Sequence, residues 1–226
     1  MKKMFAVLVA AGACASVAQA VTVGVTPDPG GLGGNWLGFM NVFDLPSNGG
    51  AYQFGSPWGV ADLNSSWSGN VLKLSPNTIG DPNPYWYTPS GGPGSTGNKI
   101  MEANMYREVV GGALAGQTLT FEGTVVSNSF TSQHVARIFI RDWAAGFGSS
   151  VDTIITLPTS GNFSISQSLI NDPTRIVQWG FQVTGPNVWF TDTAPFGFAE
   201  ITEVPAPASL ALMGLGGLAM ARRRRA

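Results

Sequence analysis

Short runs rich in Val, Ile, Thr, Phe and Trp follow one another between residues 21 and 203, each ended by a cluster of Gly, Pro, Asn, Asp or Ser. No long amphipathic helical pattern interrupts them. A strand sends successive side chains to opposite faces, so runs of this kind bury one face against a second sheet. The spacing predicts an all-β fold, an antiparallel β-sandwich. Its strands are expected over Trp36–Phe43, Ala51–Phe54, Val71–Leu74, Lys99–Val109, Gln117–Ser127, His134–Trp143, Thr153–Leu157, Asn162–Ser168, Arg175–Thr184 and Phe196–Thr202. Asn48-Gly49 marks the turn between the first two.

Alternation assigns the faces. In His134–Trp143, Ala136, Ile138 and Ile140 fall on one side, and Arg137, Phe139, Arg141 and Trp143 on the other. In Arg175–Thr184, Val177, Trp179, Phe181 and Val183 point one way, with Ile176, Gln178, Gly180, Gln182 and Thr184 opposite. The aliphatic side is core. The other carries Arg, Gln and aromatic groups, more chemistry than solvation requires. In a two-sheet sandwich it is an outer or concave binding face.

Both ends of the chain differ from this body. Lys2 and Lys3 precede an apolar stretch, Met4 to Ala13, and Ala18-Gln19-Ala20 supplies a small-x-small element. This order predicts a signal peptide over residues 1–20, cut after Ala20. The single cysteine, Cys14, lies inside it, without the large aliphatic residue three places earlier that a lipoprotein signal carries. The body therefore has no thiol for a disulfide, a thiolate metal site or a Cys nucleophile. At the other end, residues 204–226, Pro205-Ala206-Pro207 leads into apolar and small residues from Ala208 to Ala221, closed by Arg222, Arg223, Arg224 and Arg225. That stretch falls short of the roughly 20 residues of a stable membrane span. The arginines would stay on the cytoplasmic side, with everything upstream exported.

Charge reads differently once the ends are set aside. Of 12 Lys and Arg, only 6 lie in residues 21–203, against all 13 acids, which leaves that body at −7. An acidic body argues against nucleic acid, whose phosphates need clustered Lys and Arg. Its length suits one sizeable core in one domain, over residues 21–203.

The C-terminal segment resembles the PEP-CTERM sorting signal, a Pro-Glu-Pro element followed by an apolar helix and a basic cluster. Pro205, Pro207, the apolar run and Arg222–Arg225 carry the resemblance, and Ala206 stands where that pattern has Glu. The resemblance implies transient membrane insertion through the C-terminal helix. It also implies processing near the Pro element by an exosortase, a membrane-embedded transpeptidase, and release to the cell surface or extracellular matrix. More weakly, residues 114–204 resemble carbohydrate-binding modules with a galactose-binding-like jelly roll. The likeness rests on Leu114-Ala115-Gly116-Gln117-Thr118-Leu119-Thr120-Phe121, on Arg137–Asp142, and on Trp179-Gly180-Phe181-Gln182-Val183-Thr184-Gly185-Pro186. It implies a sandwich of jelly-roll type, and it speaks to fold more than to ligand.

Catalytic constellations are sparse. The one histidine, His134, stands at a strand start, where a surface or capping role is expected, and cannot form a His-pair metal site. No Gly-x-Ser-x-Gly elbow or phosphate-cradling Gly-x-x-x-x-Gly-Lys occurs. The carboxylates are dispersed, several beside prolines in turns: Asp28-Pro29, Asp81-Pro82 and Asp172-Pro173. No cofactor is expected. Loop acids with backbone carbonyls leave room for one structural calcium, without an Asp-x-Asp-x-Asp spacing to support it.

Aromatic residues are the positive signal. All seven Trp lie in the body, and of these Trp36 and Trp179 follow the apolar alternation as core residues. Tyr85-Trp86-Tyr87 stands instead in a long Pro- and Gly-rich loop, Gly80–Asn98, where three adjacent rings cannot all turn inward. Exposed rings stack on sugars while Arg and Gln reach hydroxyls. The expected sugar-binding set is Tyr85, Trp86, Tyr87, Arg137, Arg141 and Trp143. The competing reading of the loop is a lid over a sheet edge. Two functions follow: a noncatalytic surface or matrix protein that holds polysaccharide, or a secreted polysaccharide hydrolase with few motifs.

Overall fold

The computed structural model describes residues 19–204. Ala18, Pro205, Ala206, Pro207, the apolar C-terminal stretch and Arg222–Arg225 lie outside the described residues. The strands are β1 (Ala20–Val23), β2 (Leu37–Asp44), β3 (Tyr52–Pro57), β4 (Ser65–Ser68), β5 (Val71–Leu74), β6 (Tyr87–Thr88) and β7 (Thr96–Gly97), then β8 (Lys99–Val109), β9 (Thr118–Asn128), β10 (Val135–Trp143), β11 (Ser150–Thr156), β12 (Gly161–Ser168), β13 (Ile176–Pro186) and β14 (Ala199–Thr202). The expected turn at Asn48-Gly49 is a short 3-10 turn, Pro46–Asn48, closed by Gly49 at φ 93°.

Two six-stranded sheets face each other, and β6 and β7 form a separate hairpin. One sheet runs β11-β10-β13-β8-β2-β3. In the other, β9 pairs with β12 on one edge, while β1 and β14 share the opposite edge end to end, and β14 continues to β5 and β4. The path from β8 to β9 to β10, and from β11 through β12 and β13 to β14, crosses repeatedly between the sheets, as in a jelly roll.

One feature departs from the antiparallel expectation. β1 runs parallel to β9, with Ala20 opposite Thr118 and Val23 opposite Phe121. The junction expected after Ala20 falls inside β1, so a cut there leaves Val21–Val23 in the pairing. Where β1 and β14 meet on that edge β14 stops at Thr202, and the Glu203 side chain lies beside Gly24.

Period-two burial builds the core as the alternation requires. Ala136, Ile138 and Ile140 are buried, as are Val177, Trp179, Phe181 and Val183. Phe121, Phe163 and Phe181 meet between the sheets at centroid distances of 5.5, 5.4 and 6.1 Å, mostly edge to face. Gly123 makes room for this cluster, since a Cβ there would lie 2.7 Å from the Phe163 ring. Trp36 is half-buried against the same core.

Buried polar groups tie loops to the sheets. Arg107 donates to the carbonyls of Thr26, Asp28 and Leu32 and anchors the Pro- and Gly-rich segment before β2. Asp142 takes the Arg175 Nε at 2.6 Å and the Ile170 N–H at 2.8 Å. His134 corrects the surface expectation. It is 2 % exposed, sits between Phe130 and Phe196, and its Nε2 lies 3.0 Å from the Pro186 carbonyl. Burial holds its pKa below the usual value, which the Pro186 contact offsets in part.

Candidate functional site on the outer sheet face

The register of β11, β10, β13, β8 and β2 lays their outward side chains in rows. Asp152, Arg141, Gln178 and Glu108 form one row; Ile154, Phe139, Gly180, Tyr106 and Leu37 the next; Thr156, Arg137, Gln182, Asn104 and Phe39 a third; Thr184, Glu102 and Asn41 a fourth. The Arg, Gln and aromatic groups assigned by alternation in β10 and β13 therefore share one surface. β8 and β2 extend it with Asn104, Glu102, Glu108, Tyr106, Phe39 and Asn41, residues beyond the expected set. The same alternation in Lys99–Val109, read along Ile100, Glu102, Asn104, Tyr106 and Glu108, carried the signal.

Gly180 organises the centre of this face. It stands between Phe139 and Tyr106 and contributes no side chain, and a Cβ would lie 2.1 Å from the Met105 carbonyl oxygen. Arg141 lies over Phe139, its guanidinium 4.3 Å from the ring centroid, and crosses the central strand to donate to Asn104 Oδ1 at 3.0 Å. Phe139 is fully buried beneath it. Asp152 lies 3.5 Å from Arg141 Nε. Burial lowers the Arg141 pKa, opposed by Asp152 and Glu102, and the group stays cationic.

From Asn104 the hydrogen bonds continue without a break. Gln182 Nε2 donates to Asn104 Oδ1 at 3.0 Å, and Arg137 Nη1 donates to Gln182 Oε1 at 3.2 Å and Thr184 Oγ1 at 3.3 Å. In parallel, Trp143 Nε1 donates to Gln178 Oε1 at 2.9 Å, and Gln178 Nε2 to Glu108 at 2.6 Å. Asn41 donates to Glu102 at 3.0 Å. Tyr106 keeps its proton, since burial and the neighbouring Glu108 both raise its pKa. At the margin, Trp143 meets Phe147 edge on at 5.7 Å; Phe147 is 50 % exposed and adopts a left-handed φ of 62°, uncommon for a bulky residue. The result is a fixed array of donors and acceptors with half-buried rings among them.

The loop aromatics do not join this array. Tyr87 is fully buried: its hydroxyl donates to the Ile79 carbonyl at 2.6 Å, lies 3.0 Å from the Val188 carbonyl, and accepts from Ile79 N–H. Tyr87 is therefore a core residue and cannot contact a sugar. Trp86 is half-buried against the core, and its carbonyl accepts from Asn187 and from the Asn98 N–H. Tyr85 remains exposed, with Lys99 Nζ 4.1 Å from its ring centroid and Asp44 on the same ammonium at 2.7 Å. In the register, Lys99 and Asp44 fall one step beyond the outward pair Phe43–Ile100, on the inward-facing parity. Tyr85 and Trp86 thus lie apart from Arg137, Arg141 and Trp143, and the Trp86 ring meets Phe54 of the edge strand β3 edge on at 6.2 Å.

Two hollows near loops lack comparable chemistry. One, of about 790 Å³, lies beside Ser95, Gln133, Asp192 and Phe196, with the Asp192 carboxylate already taken by the N–H of Gly94 and the hydroxyl of Thr191. The other, of about 560 Å³, is lined by Pro57, Trp58, Asp62 and Thr78 among others. Among the described residues no group of three or more His, Cys, Asp or Glu is placed to hold a metal ion. None of the described helices is long and apolar enough to cross a membrane.

Comparison with solved structures finds a likeness to the enzymatically active domain of tailspike protein 4 of bacteriophage CBA120. It has 12% identity and a TM-score of 0.30, and covers 62% of this chain and 19% of that one. At that level the likeness carries no argument about fold or function. No curated protein matches the chain. Residues 203–225 match the PEP-CTERM protein-sorting motif, beginning one residue after β14 ends. The chain thus carries a PEP-CTERM signal, the mark of an exported protein sorted by an exosortase.

Proposed function

We propose that this exported protein is a noncatalytic component of the cell surface or extracellular matrix that holds polysaccharide on the outer face of the β11-β10-β13-β8-β2-β3 sheet. The observation that carries the proposal is the continuous hydrogen-bonded array Arg141–Asn104–Gln182–Arg137–Thr184, set among Tyr106, Phe39 and Trp143. Arg137 and Arg141, held by the buried Asn104 and Gln182, lose little entropy on meeting sugar hydroxyls, and the half-buried rings beside them supply apolar contact. The placement of the acids on this face supports a binding role there. A glycosidase needs two carboxyl groups no more than about 9.5 Å apart. On this face Glu102 and Glu108 are six residues apart on β8, about 20 Å, and Asp152 and Glu108 are three strands apart, about 14 Å.

Affinity electrophoresis through gels containing polysaccharide tests the proposal. The Trp143→Ala, Tyr106→Ala double variant should lose retention at least about thirty-fold, since each ring stacked on a ligand contributes on the order of 1–3 kcal/mol. Unchanged retention in a folded double variant would remove the outer face from consideration.

A further inference from the structure

We infer that the polysaccharide is acidic and that its carboxylate is read by Arg137; the inference rests on the outer-face reading above. On this face each carboxylate already has a protein partner. Asp152 lies against Arg141, Glu102 accepts from Asn41, and Glu108 accepts from Gln178. Arg137 is the exception in the opposite sense. Its Nη1 is held by two neutral oxygens, Gln182 Oε1 and Thr184 Oγ1, and among the described residues no carboxylate lies within 4.0 Å of it.

The contrast with the other buried or half-buried cations is what gives this weight. Lys99, Arg141 and Arg175 each face an aspartate, and Arg107 is enclosed by backbone carbonyls. A chain whose body carries 13 acids against 6 cations has no shortage of anionic partners. It nevertheless leaves a guanidinium without one in the middle of a fixed polar array. Gln182 and Thr184 orient that guanidinium by one nitrogen, which leaves the rest of the fork for a planar anion, and the fork matches a carboxylate in two parallel hydrogen bonds.

The net charge narrows the ligand. A body at −7 repels a densely charged polyanion at long range, so attraction has to be local. A polymer of hexuronic acids, with one carboxylate per ring, carries fewer charges than a heavily sulfated chain and is repelled less.

The experiment compares the whole protein's retention in gels containing polygalacturonate, the same polymer fully methyl-esterified, and a neutral glucan. The acid polymer should retain the protein about ten-fold more strongly than its ester, the scale of one charge-assisted hydrogen-bond pair. Arg137→Gln should bring retention by the acid down to the level of the ester, and Arg137→Lys should recover part of it. Equal retention by acid and ester would overturn the acidic-ligand inference and leave the outer face as a site for neutral polysaccharide. Retention by none of the three would overturn both readings. The acid–ester comparison needs no variant, so it decides the matter even where Arg137→Gln lowers stability.

Discussion

Two regions of this molecule present aromatic rings beside polar groups, and they resolve in opposite ways. The loop carrying Tyr85-Trp86-Tyr87 turns its last ring fully into the core, half-buries the middle one and leaves the first outside over Lys99. The outer sheet face keeps Arg137, Arg141, Trp143 and Tyr106 at a shared surface. Adjacency in a loop says nothing about direction, because each residue turns independently. Alternation in a strand fixes direction for every residue at once. The three rings of the tripeptide are therefore scattered between core and surface, while the side chains of the strands stay on one face.

The largest effect that sharpens this contrast lies on the two faces of one strand. Ile138→Asp places a charge in the core and should unfold the protein, a loss of several kcal/mol. Arg137→Gln, one residue away on the outer face, should shift the thermal midpoint little. Circular dichroism melts of both variants check the pair, and similar midpoints would erase the distinction between the faces. Next in size, Tyr87→Ala should cost about 3–5 kcal/mol in urea denaturation, as loss of a buried ring does. Tyr87→Phe should cost about 1–2 kcal/mol, because it strands the Ile79 carbonyl and N–H. A cost near zero for Tyr87→Ala would return the loop to the surface.

Trp86→Ala is expected to cost less, about 2 kcal/mol for a half-buried ring, and to leave polysaccharide retention per folded molecule unchanged. A ten-fold loss of retention at constant stability would restore the loop as a binding site. The smallest effect is pH-dependent. Burial depresses the His134 pKa, so the unfolded chain takes up the proton more readily than the folded one. Stability from this group is full above about 6.5, the ordinary histidine value, and falls as pH drops through the window below it. Melting at pH 7.5 and 5.5 should show a decrease that His134→Gln reduces; a decrease identical in the variant assigns it to other groups.

Much of this was legible in the sequence. Lys99–Val109 and Val71–Leu74 are strands with the expected ends, and the core sides of β10 and β13 follow alternation residue by residue. Three things were not. The parallel docking of β1 depends on a pairing partner about a hundred residues away, and four residues carry too short a pattern to announce it. His134 is buried because Phe130 and Phe196, remote in sequence from each other, close around it. The contribution of Asn104 required knowing that Gly180 opens a path for Arg141 across the central strand. Local period reveals which way a side chain points, while the partners it meets are set by strand order.

Hydroxyl-radical footprinting of the protein with and without bound polysaccharide tests the central claim most directly, because it reports ring by ring which surface the ligand covers. The account predicts protection of Phe39, Tyr106 and Trp143 on the outer face, with the exposed Tyr85 of the loop oxidised equally in both states. Protection at Tyr85, with the three outer-face rings unchanged, would contradict it.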